Sequence, residues 1–259
     1  MRKEPNYLYL MIGLLSAVVL GTAATPRSVL AISAGFIAAV SFLATAYILI
    51  GRKRQLLLAI LLGAAAFLPF VRLSLHAEAL SPGLANAAYI LNIVVWMLFI
   101  FYIGLIVFRG IITARRIGSN EIYGAIYVYL LIGVLFAAVY QLLLAWQPDA
   151  LYFDPGRFQE AQVIVGGLYT RGVGAVLYYS FVTLGTVGYG DVTPASPLAR
   201  SLSLVEAVIG IMYVATMIAR FVSIQIGSES GGAKSELEEQ TPPLSHSGQK
   251  ETINDPQGI

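Results

Sequence analysis

Thr186-Val187-Gly188-Tyr189-Gly190-Asp191 is the run in this chain whose chemistry core packing does not explain. Glycines alternate with larger residues, so the backbone can take positive φ at Gly188 and Gly190 without a Cβ penalty. Such a strand can turn a row of main-chain carbonyls toward one axis, where they replace the hydration shell of a dehydrating cation. The expected ligands are the carbonyls of Thr186, Val187, Gly188 and Tyr189, with the Thr186 hydroxyl as a further oxygen at the inner end. Val187 and Tyr189 are expected to point away from the axis and wedge the strand. A glycine-rich turn between two strands is the competing reading, and the flanks show no β-alternation to support it.

The elements that must position this run are membrane helices. The chain has 259 residues, 58% of them hydrophobic and only 12% charged, far from the balance of a water-soluble globule. A net charge of +2, with scattered carriers, gives no nucleic-acid or acidic-substrate surface. Zero cysteines remove disulfides, thiolate metal sites and thiol nucleophiles. His76 and His246 stand far apart, and neither a GxxxxGK loop nor an HExxH pair occurs. No residues stand out for enzyme catalysis or for holding a cofactor.

Apolar runs predict six spans, over 7–24, 28–50, 56–75, 87–108, 122–145 and 198–227. The first also has the shape of a signal peptide, with Gly21 and Ala23 suitably small for cleavage; a retained helix is the preferred reading. Pro148, Pro155, Gly156 and the Gly166-Gly167 pair break the outer segment 146–174, while 175–184 is too short to span and suits a re-entrant half-helix. Basic residues fall at every second junction, at Arg2 and Lys3, then Arg52, Lys53 and Arg54, then Arg109, Arg115 and Arg116. The positive-inside rule then places both termini in the cytoplasm, if the first helix is retained, and the 186–191 run at the outer mouth. The expected fold is an all-α integral membrane protein of the cell membrane. It divides into a four-helix domain (1–116), a pore domain (117–227) and a disordered polar tail (228–259).

The intact TVGYG of Thr186–Gly190, followed by Asp191, resembles the potassium channel pore family. The resemblance implies K+ as the transported ion, no cofactor, and a filter set between the last two spans. Because the motif occurs once, a four-fold pore requires four copies of the chain. Residues 178–185 are similar to the family's pore helix, whose C-terminal dipole faces the cavity. Tyr178 and Tyr179 stand where the family places an aromatic cuff, and their hydroxyls are candidates to hold Asp191 or Tyr189; interfacial tyrosines are the alternative. Val182 replaces the glutamate that pairs with the aspartate in some members, and Gly185 replaces a common threonine.

Glu206 is the acidic residue inside the last span, expected either to support the filter from behind or to make a structural hydrogen bond. Gly210 stands where the family often has a gating glycine, with close helix packing as the bland alternative. Ile211, Val214 and Ile218 share a helical face and would line the cavity if Gly210 faces it, with Val222 near the inner mouth. A K+-uptake transporter subunit and a non-conducting scaffold are the competing functions.

No lysine or arginine lies between Arg72 and Arg109, so the fourth span offers the membrane field no charge to move. Conductance in planar bilayers should therefore vary only shallowly with voltage. A conductance–voltage curve steep enough to require several gating charges per subunit would contradict this.

Overall fold

The computed structural model describes residues 7–23, 82–114, 118–158, 162–165 and 168–240 of the 259. The spans expected over 28–50 and 56–75, the basic residues at 52–54 and 115–116, and the tail beyond 240 lie outside the described residues. Three described helices are long and apolar enough to cross a bilayer, over Asn86–Thr113, Ser119–Trp146 and Pro197–Ile226. Two shorter apolar helices accompany them.

In chain order the elements are α1 (Tyr7–Ala23), α2 (Pro82–Thr113), α3 (Ser119–Trp146), β1 (Leu151–Phe153), β2 (Gln162–Val165), β3 (Leu168–Arg171), α4 (Val173–Leu184), β4 (Val192–Pro194) and α5 (Pro197–Gln240). The described part is mostly helical, consistent with the all-α expectation, with two short strand ladders. β1 pairs antiparallel with β4, and β2 with β3, the latter strands separated in sequence by Gly166 and Gly167. These ladders are three and four residues long, too short for alternation to register in the sequence. In the tail, read from the sequence as disordered with a short helix possible over 235–240, α5 stays helical to Gln240, and 241–259 lie outside the described residues. Lys234, Glu236, Leu237, Glu238 and Glu239 are good helix formers that extend a helix already nucleated in the membrane.

Helix starts follow local chemistry. Glu121 Oε2 accepts the Gly118 N–H at 2.7 Å and closes the first turn of α3. Ser196 Oγ accepts the Ala199 N–H at 3.1 Å, with Pro197 opening α5 where no donor is needed.

Two buried clusters hold the helices together. In the first, Tyr7, Leu10 and Leu14 of α1 pack with Phe99, Ile103, Val107 and Ile111 of α2 and with Tyr127, Val128 and Leu131 of α3. The Tyr7 N–H also donates to Asn120 Oδ1 at 2.9 Å, so α1 is an integral element of this core. In the second, Tyr140, Leu143 and Leu144 of α3 meet Leu151 and Phe153 of β1, Val176 and Tyr179 of α4, Val192 of β4 and Ala199 of α5. At the other end of the molecule Arg220 of α5 donates through Nη2 to the carbonyls of Ile111, Ile112 and Ala114, capping the C-terminus of α2.

α3 and α4 pack tightly at Gly133, where a Cβ would stand 2.7 Å from the Phe181 ring. Gly104 has room, its nearest neighbour being Leu131 Cδ1 at 3.8 Å. Gly133→Ala should destabilise the detergent-purified protein by about 1–3 kcal/mol through overpacking, and Gly104→Ala should leave it unchanged or slightly stabler. Thermal unfolding followed by intrinsic fluorescence checks this, and equal shifts for the two variants would contradict it.

Candidate functional site

The candidate site is the strand between α4 and β4. Thr186, Gly188 and Gly190 have φ of +55°, +59° and +81°, and Val187 and Tyr189 between them do not have positive φ. This alternation turns successive peptide planes alike, so that carbonyls gather on one side of the strand and amides on the other. For the glycines the conformation costs no Cβ strain. For Thr186, a β-branched residue, it costs about 1–3 kcal/mol and must be imposed by its surroundings. The glycine pattern reveals the first fact in the sequence, but nothing there signals the second.

The surroundings that impose it are the last turn of α4. The Thr186 N–H donates to Thr183 O at 2.9 Å, the Val187 N–H to Val182 O at 2.8 Å and the Gly188 N–H to the same oxygen at 3.4 Å. Val182 therefore matters through its carbonyl, a role its side-chain identity does not reveal. Gly185 takes an ordinary right-handed conformation, with its N–H on Phe181 O at 3.0 Å, so the turn from helix to strand is hydrogen-bonded. No donor among the described residues reaches the carbonyls of Thr186, Val187, Gly188 or Tyr189. A Cβ at Gly188 or Gly190 would meet nothing among the described residues within 4 Å.

The outer end is anchored separately. Tyr178 donates its hydroxyl to Asp191 Oδ2 at 2.7 Å, and its ring stacks on Tyr189 with centroids 6.4 Å apart and planes within 6°. Asp191 also accepts its neighbour's Val192 N–H at 3.0 Å and lies 3.8 Å from the Arg157 guanidinium. The Asp154 N–H donates to Asp191 O at 2.9 Å, continuing the β1–β4 ladder to the end of the strand. Arg157 and Asp154 were absent from the sequence-based candidates because nothing in a broken outer segment marks which residue folds back.

Tyr179 does not join Tyr178 at the strand. Its hydroxyl lies 2.5 Å from Ser203 Oγ on α5, and its ring packs edge-on against Tyr140 with centroids 5.0 Å apart. Glu206 is fully buried behind α4, where Oε2 accepts the Tyr140 hydroxyl at 2.8 Å and Oε1 lies 2.5 Å from Ser180 Oγ. Gly210 is also buried, and a Cβ there would stand 2.5 Å from Leu184 O, so this glycine serves close packing of α5 on the end of α4. Ile211, Val214, Ile218 and Val222 are exposed in the chain; at about 100° per residue Val214 lies about 40° from Gly210 around α5 and the other three about 80–120°.

Residues 163–225, from β2 into α5, match a family model described as an ion channel. The chain is similar to the two pore potassium channel c of Oryza sativa subsp. japonica, 43% identical over 54 residues, which is 21% of this chain and 12% of that protein. It is also similar to the probable potassium channel protein 2 of Methanocaldococcus jannaschii, 43% identical over 49 residues, 18% of this chain and 14% of that one. The segment belongs to the potassium channel pore family. The matches span less than a sixth of either relative's length, and no solved structure matches the chain. Within the pore segment lie the free carbonyls, the helix that seats them and the inner helix behind it.

Tyr178→Phe keeps the stack on Tyr189 and removes the hydroxyl from Asp191. A hydrogen bond to a carboxylate contributes about 1.5–3 kcal/mol, so this variant should lose conduction faster during sustained recording. Decay of single-channel open time over minutes is the measurement, and decay matching wild type would show that the Asp191 anchor does not depend on Tyr178.

Proposed function

We propose that this chain forms a homotetrameric channel that passes K+ passively down its electrochemical gradient, with little intrinsic sensitivity to voltage. The observation that carries the reading is the strand 186–189, whose four carbonyls bond to nothing among the described residues and whose alternating φ sets them side by side. Four such strands around an axis would supply successive rings of oxygens able to replace a hydration shell. Thr186, Val187, Gly188 and Tyr189 are then the ion ligands, with the Thr186 hydroxyl innermost. Gly190, Asp191, Tyr178 and Tyr179 support the filter, Tyr179 by holding α4 to α5.

The exposed stripe of Ile211, Val214, Ile218 and Val222 fits a cavity wall leading to a hydrophobic constriction, where dewetting could close the path. Apolar surface on α5 extends beyond that stripe, with Leu204, Val208 and Met212 also exposed, as neighbouring subunits or lipid would require. The names of both relatives, a potassium channel in each case, support the choice of K+. Six spans per chain and a cell-membrane setting with cytoplasmic termini complete the proposal.

The test is K+ flux into liposomes holding the purified full-length protein, with no coupling ion present. Wild type should carry K+ in preference to Na+. Gly188→Ala should abolish selective flux, because a Cβ opposes φ of +59° although no atom among the described residues blocks it. Flux that requires a second ion would indicate a transporter, and selective flux surviving in Gly188→Ala would remove the strand from the pathway.

A further inference from the structure

The buried polar node behind the pore helix contains five short oxygen–oxygen contacts. Ser203 Oγ lies 2.7 Å from Ala199 O and 2.5 Å from the Tyr179 hydroxyl. Tyr140 lies 2.8 Å from Glu206 Oε2. Ser180 Oγ lies 2.7 Å from Gly133 O and 2.5 Å from Glu206 Oε1. Each contact needs one proton, since two oxygens this close with no hydrogen between them repel. The hydroxyls of Ser203, Tyr179, Tyr140 and Ser180 supply four, and carbonyls supply none.

With one proton given to each contact, the assignment runs in one direction. Ser203 donates to Ala199 O and accepts from Tyr179. Tyr140 donates to Glu206 Oε2, its longer 3.3 Å approach to Ser203 being secondary. Ser180 must donate to Gly133 O, because a carbonyl cannot reciprocate. The fifth contact, between Ser180 Oγ and Glu206 Oε1, either shares the single Ser180 proton with Gly133 O in a three-centre bond or takes a proton from Glu206, and at 2.5 Å a proton of its own is the better match.

We infer that Glu206 carries that proton itself, and that as a neutral acid donating to Ser180 it is a positioning residue for the ion filter. This rests on the channel reading above. The setting agrees with the count: Glu206 is fully buried, and no ion pair among the described residues includes it. The groups facing it are Tyr140 and the Gly133 carbonyl from α3 and Ser180 from α4, with the titratable Tyr129 and Tyr179 near by and no charged side chain among them. A carboxylate there would be a buried charge without a cation.

The neutral acid both donates and accepts, so it ties α5 to α4 and α3 at once. Its grip falls on Ser180, two residues before Val182, whose carbonyl seats the amides of Val187 and Gly188. Moving Ser180 moves the base of the carbonyl row. Glu206 touches no ion and acts through α4 alone.

Glutamine reproduces the neutral acid's pattern, its amide donating to Ser180 and its oxygen accepting from Tyr140, whereas leucine does neither. In the same liposomes Glu206→Leu should lower K+-over-Na+ preference by about tenfold, and Glu206→Gln should restore it. Infrared difference spectra of wild type against Glu206→Gln should show the carbonyl stretch of a protonated carboxyl at neutral pH. A spectrum with only carboxylate bands, loss of preference in an assembled Glu206→Gln, or full preference in Glu206→Leu would each overturn the inference. Should Glu206→Leu fail to assemble, the infrared comparison and the glutamine variant decide it. Absence of K+ flux in wild type would refute the channel reading and leave the spectroscopic test of the proton standing.

Discussion

A strand whose carbonyls are to serve a cation cannot commit them to its own fold. Residues 186–189 obey this constraint, and the rest of the described structure follows from it. Helices and sheets stabilise themselves by pairing every carbonyl; a filter strand has only its amides and its ends. Its conformation, including positive φ at a threonine, must therefore be imposed from outside. The last turn of α4 holds the inner end through two amides shared on Val182 O, and Asp191 with the short β1–β4 ladder holds the outer end.

Both anchors transfer the demand for rigidity to neighbouring elements. α4 is only 12 residues long and cannot hold its place by its own helical bonds. It is fixed by apolar packing at Val176, by the close fit of Phe181 at Gly133, by the approach of α5 at Gly210, and by the hydroxyl and carboxyl node around Ser180 and Glu206. The polar contacts give α4 a defined axial position, which apolar packing alone, being non-directional, does not. At the outer end Tyr178 links the two anchors, since it belongs to α4 and bonds to Asp191. The strand is thus clamped by one short helix at both its ends.

Much of this was legible in the sequence where the signal is local. The glycine spacing announces the strand, composition announces the membrane, and the helices at 7–23, 119–146 and 173–184 fall within a few residues of their apolar runs. The pore segment 163–225 was likewise announced by its motif, and the comparisons with known channels agree. What was not legible is what depends on distant pairing. Arg157 and Asp154 reach Asp191 across more than 30 residues, Tyr140 reaches Glu206 across 66, and Tyr179 turns to Ser203 although it adjoins Tyr178. The orientation of Gly210 depends on how α5 rotates against α4, which periodicity narrows to a stripe without choosing the neighbour. In the stretch 228–240 polarity signals solvent contact, and the sequence leaves open a helix over 235–240 without showing that α5 runs on into it.

The most direct test of the account is a structure of the assembled full-length protein with thallium(I) in place of potassium, read by anomalous scattering. The account predicts four chains about one axis and thallium in single file between rings of the Thr186, Val187, Gly188 and Tyr189 carbonyls. An assembly of any other number, or thallium sites away from these four residues, would contradict it.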